Sequence, residues 1–140
     1  MPHPDFKPLS LMSASPVAAN AEPWAPLPYA DVPRFDARSV LPHWPRLHAG
    51  HHLPPPDADA PLAEGWALYH SGDFERAAAI GLLHGSEGLV LANQATAIYA
   101  NYLEPREAIR LAMFRQVIER AGAQVAAEPE NCQALYWQAY

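Results

Sequence analysis

The sequence predicts an all-α protein: antiparallel helical hairpins stacked as a short solenoid, preceded by a proline-rich and largely irregular N-terminal segment. Three observations predict it. Fourteen of the sixteen prolines lie in residues 1–61, whereas residues 62–140 are rich in Ala, Leu and Glu. In the second stretch apolar residues recur at helical spacing between clear breaks. A helix–turn–helix pattern centred on Gly72-Asp73-Phe74 is followed by similar pieces, the sequence mark of a repeat array.

The leader divides in two. Proline fixes its own φ, removes a donor and pushes its predecessor out of the helical region. With Pro at 2, 4, 8, 16, 23, 26 and 28, residues 1–30 are expected to be disordered. Residues 31–61 carry Val32, Phe35, Val40, Leu41, Trp44, Leu47 and Leu53, too apolar for a solvated linker. They are expected to be partly ordered on the helical unit, with Phe35 and Trp44 as anchors. Asp36 to Leu41 reads as a single helical turn ended by Pro42. Pro54-Pro55-Pro56 reads as a polyproline spacer.

The helical unit, 62–140, reads as five helices at about 62–71, 74–84, 87–103, 106–128 and 132–140. Pro61 suits a helix start, and Gly72 supplies the left-handed residue that ends the first helix. Asp73, Ser86 and Asn131 are the expected N-caps. In the second helix Phe74, Ala77, Ala78, Gly81 and Leu82 form one apolar stripe of small residues. Leu91, Ala95, Ile98 and Tyr102 mark the third helix. Leu111, Phe114, Ile118, Ala121 and Val125 mark the fourth.

Charge and composition narrow the function. The net charge is −6, spread as −2 over the leader and −4 over the helical unit. No basic run exists, which argues against a nucleic-acid partner. No apolar run approaches the ~20 residues of a membrane span. The N-terminus lacks a secretory pattern, so a cytoplasmic protein is expected. One cysteine, Cys132, excludes an internal disulfide and is read as a packed thiol at a helix start. Glu64, Asp73, Glu75 and Glu87 have no partner histidine at a matching spacing, so no enzyme and no cofactor are expected.

The repeat pieces resemble a known family. Gly65, Leu68, Gly72-Asp73-Phe74, Ala77 and Ala78 are similar to a tetratricopeptide repeat. Gly65 matches the small residue of that family's first helix, Gly72-Asp73-Phe74 its turn, and Ala77 the small residue of its second helix. Residues 127–136 resemble the junction between two repeats, with Pro129 as the terminal proline and Ala139 at the small-residue position. The middle repeat departs from the pattern: its turn is Leu103-Glu104-Pro105 and its second helix is two turns too long. The likeness covers about 62–140 and extends to bacterial proteins of this class with longer solenoids.

The resemblance implies a scaffold that binds a protein or peptide in a groove lined by the first helix of each repeat. Leu62, Trp66, Tyr69 and His70 would face that groove from one helix, Asn93, Ala97 and Asn101 from the next, and Tyr136 and Tyr140 from the last. The plain alternative makes Trp66 and Tyr69 packing residues beneath the leader. Lys and Asn, used by the family to grip a terminal carboxylate, are missing from the first repeat. A solenoid needs about three repeats for a continuous core, so Leu135, Tyr136, Trp137 and Tyr140 suggest a homodimer, a leader folded back, or part of a longer chain. The other functional reading is metal or small-ligand binding. His43, His48, His51 and His52 are weak metal candidates, and a pocket between leader and helices is its second form.

Overall fold

The computed structural model describes residues 23–50 and 53–140. Among them the protein is all-α, with six helices and no strand. They are α1 Trp44–Leu47, α2 Pro61–His70, α3 Phe74–Leu82, α4 Gly85–Tyr102, α5 Glu107–Ala127 and α6 Cys132–Ala139. Each helix from α2 onward packs on the next, and α2 also touches α4, as α4 touches α6. The turns at Ser71–Asp73 and Leu83–His84 are too short for any but antiparallel neighbours. The helices α2 and α4 therefore run the same way, and residues of α2, α4 and α6 share one side of a cavity with residues 53–56.

Local chemistry sets most boundaries. Gly72 adopts φ +85 just past α2. Asp73 caps α3 through the Arg76 amide, and Asn131 caps α6 through the Ala134 amide at 3.1 Å. Ser86 is not a cap: α4 begins one residue earlier, at Gly85, and the Ser86 hydroxyl donates to the Glu128 carboxylate at 2.6 Å. Gly81 and Gly88 let α3 and α4 cross at backbone contact, since a Cβ on Gly81 would lie 2.5 Å from the Gly88 carbonyl.

Two expected stripes shift. On α5 the buried residues are Met113, Val117, Ala121 and Gln124, whereas Leu111 and Ile118 are half exposed. Gln124 is buried with its amide nitrogen donating to the Ser86 carbonyl and hydroxyl at 2.9 and 2.7 Å. On α4 Tyr102 is exposed, while Tyr99 is buried. Cys132 is exposed rather than packed.

The cores follow the helix order. One joins α2, α3 and α4 through Trp66, Ala77, Ala78, Val90, Leu91 and Ala95, with Trp44 from the leader. A second joins α4, α5 and α6 through Ala97, Val117, Ala121 and Trp137. A third, around Tyr99, Ala100 and Met113, takes in Trp24 of the leader. The expected disorder of residues 1–22 lies outside the described residues. Residues 23–30, grouped with them from sequence, instead run against the helices, because Trp24 has an aromatic ring to stack on.

Candidate functional site: a leader strapped across the helical face

The leader is held at successive points. At its start the Trp24 ring stacks on Tyr99, 4.5 Å apart and 16° from parallel. The Ala25 amide donates to the Tyr99 hydroxyl at 2.8 Å, and that hydroxyl donates to Glu104 at 2.7 Å. Glu104 is buried and accepts from the Arg106 guanidinium at 2.7 Å. That charge-assisted bond, aided by Tyr99, lowers the Glu104 pKa to about 2 against the cost of burial. Leu27 lies over Gly72, where any Cβ would collide with it at 2.4 Å.

Further on, the Phe35 amide donates to the Ser71 hydroxyl at 2.8 Å, and that hydroxyl donates to the Ala67 carbonyl. Asp36 then closes a turn by accepting from the Arg38 and Ser39 amides. The single turn expected at Asp36–Leu41 is present, closed by the Val40 amide on the Asp36 carbonyl at 3.1 Å, but Pro42 does not end it: the turns run on into α1, with Pro45 in that helix's first turn where no donor is missed. Trp44 is buried. It packs edge-on against Trp66 at 5.6 Å, stacks on His48 at 3.9 Å, and donates its indole N–H to the Leu53 carbonyl at 2.9 Å.

His48 completes the contact. Its Nε2 lies 2.9 Å from Nε2 of His70, so one ring donates and the other accepts. Burial in this aromatic surround, reinforced by His48, lowers the His70 pKa to about 4. Two of the four histidines read as metal candidates, His43 and His48, are among the described residues. His48 turns to His70, and His43 lies edge-on to Phe35. His51 and His52 lie outside the described residues. Among the described residues no three metal-ligating side chains converge.

The expected groove residues divide. Trp66 is 3 % exposed, covered by Trp44 and His48, so it is a packing residue beneath the leader and not a free groove wall. Asn93 and Ala97 are fully buried, and the Asn93 amide makes no hydrogen bond to protein atoms. Leu62 and His70 are half-buried against the leader. Asn101 is exposed. Tyr69 is half-buried, accepts a contact from Gln94 of α4, and has its pKa raised by burial and by the nearby Tyr140 and Tyr136. Tyr136 and Tyr140 remain about half exposed, their ring centroids 6.1 Å apart. Trp137, expected at an uncovered end, is instead buried against α4 and α5.

Two cavities adjoin the strap. One, of about 280 Å³, lies between leader residues 24–34 and the α2–α3 turn, with Arg34, Asp73 and Glu75 at its wall. The other, of about 350 Å³, lies between Leu53–Pro56 and the shared face of α2, α4 and α6, walled by Leu62, Trp66, Val90 and Gln133. The signal for the strap was present in the sequence as Phe35 and Trp44, but its far anchor, Trp24 on Tyr99, had no local mark. No helix among the described residues is long and apolar enough to cross a membrane. Compared with protein-family models, curated proteins and solved structures, the chain matches none.

Proposed function

We propose that this chain is a protein-interaction module of the tetratricopeptide-like kind, whose shared α2–α4–α6 face takes an extended peptide. The observation that carries this reading is the leader. Part of it already adjoins that face: Trp44 packs edge-on against Trp66, and residues 53–56 wall a cavity with residues of α2, α4 and α6. The exposed Tyr136 and Tyr140 leave part of the face open. The other expectations of the sequence fit the same reading: no catalysis, no cofactor, and a cytoplasmic place of action.

The test is selection of binding peptides from a random library on the full chain, with sites mapped by backbone amide shifts. Enriched peptides that perturb Gln94, Gln133 and Tyr136 are the expected result. No enrichment, or binding mapped to the outer helices α3 and α5, would overturn it. A small-ligand role is favoured by one observation, the 280 Å³ cavity with charges of both signs at its wall. Shifts confined to Trp24, Tyr29 and Arg34 would favour that role instead.

A further inference from the structure

Resting on the peptide-binding reading above, we propose that the cavity between residues 53–56 and the helices takes an arginine side chain of the bound peptide, with its stem inside and its guanidinium at the acidic edge. The cavity holds about 350 Å³. Part of its wall is apolar: Trp66 and Val90 are buried, with Leu53 and Leu62 half-buried beside them. The exposed part is acidic, formed by Glu87 in the first turn of α4 and Glu128 just past the end of α5. Among the described residues that wall the cavity none is basic, and neither carboxylate has an ion-pair partner.

Acceptors left without donors define the ligand. Gln124, Ser86 and Glu128 form one bonded chain at this wall. The Gln124 amide nitrogen donates to the Ser86 carbonyl and hydroxyl, and that hydroxyl donates to Glu128 at 2.6 Å. The donors of the chain are thereby used up. Its remaining atoms are acceptors, including the side-chain oxygen of the buried Gln124, which has no protein partner. A wall of that kind favours a ligand that brings hydrogen-bond donors, and the two carboxylates favour positive charge. The apolar part favours a long aliphatic stem. Arginine and lysine both bury their stems on apolar surface and leave the charge in water. Of the two, guanidinium presents five donors in a planar fork, is the more weakly hydrated, and packs well on an indole such as Trp66. The net charge of −6 also draws a basic partner toward the chain before contact.

The test titrates the full chain with short alanine-based peptides that differ at one central residue: arginine, or citrulline, which keeps the shape without the charge. Backbone shifts locate the site. The arginine peptide is expected to perturb Glu87, Val90 and Gln133. It should bind several-fold more tightly than the citrulline peptide, with the gap closing at high salt. Glu87→Gln combined with Glu128→Gln, at exposed positions, should remove most of that gap with the melting curve unchanged. Equal binding of the two peptides at this wall, or a gap that survives both substitutions, would overturn the charge recognition and leave the peptide-binding reading intact. Binding of neither, while library peptides without a basic residue perturb Gln94 and Tyr136, would likewise reject this inference alone. No peptide of any kind on this face would reject both.

Discussion

Gly81 and Gly122 show how the same residue type carries opposite weight at two places. A Cβ at Gly81 would meet the Gly88 carbonyl at 2.5 Å and the Ala92 amide nitrogen at 2.7 Å. Both are backbone atoms and cannot move aside without separating α3 from α4. Gly81→Ala is therefore expected to destabilise the fold by about 1–3 kcal/mol through overpacking. At Gly122 the nearest atom is the flexible end of Gln138 at 3.5 Å, and the backbone is already helical. Gly122→Ala should stabilise by ~0.5–1 kcal/mol, the entropy that glycine costs inside a helix. Urea denaturation of both variants checks the pair. Equal effects of one sign would show that the close crossing of α3 and α4 is not what holds them.

At the scale of elements the leader is the part most open to conditions. His70 is held neutral by burial, its pKa lowered from 6.5 to about 4. A His freed from the strap would take a proton near its ordinary value of about 6.5. The strap's contribution is thus complete above that value and is lost as pH falls from 6.5 toward 4. Amide protection at Val40 and His48, corrected for intrinsic exchange, is expected to drop across that window. His70→Phe, which keeps a ring and removes the titration, should flatten the profile; an unchanged profile in that variant would assign the loss elsewhere. The elements themselves were largely legible, because Gly72, Asp73 and Asn131 each carry a local chemical instruction. The phase of α5 was not. That helix packs on both α4 and α6, so its apolar residues do not form one stripe, and the buried Gln124 has its amide nitrogen bonded to Ser86 while its side-chain oxygen has no protein partner. The strap's far end was hidden for another reason. Ala25 and Tyr99 are 74 residues apart, and no local pattern encodes so distant a contact.

For the whole molecule the question is whether leader and helices are one cooperative unit. Trp44 is 4 % exposed and belongs to the same core as Trp66 and Leu91, while Trp24 adjoins the core around Tyr99. The helices alone would present Trp66 to water, and an apolar surface of that kind promotes association. The leader therefore completes the core rather than decorating it. Trp44→Ala in the full chain should cost about 3–5 kcal/mol, as large-to-small core changes do. That is a large share of the 5–15 kcal/mol that stabilises an ordinary domain. Denaturation should remain a single transition, shifted to lower urea, with the indole emission of Trp66 moving toward the red before the transition. Two separate transitions, or a loss below about 1 kcal/mol, would mean that the leader rests on a helical unit already stable without it. In that case a partner could take the face at little energetic cost. In the cooperative case, a partner that displaced the leader would first have to replace what Trp44 contributes, and its apparent affinity would fall by the fraction of chains in which the strap is open.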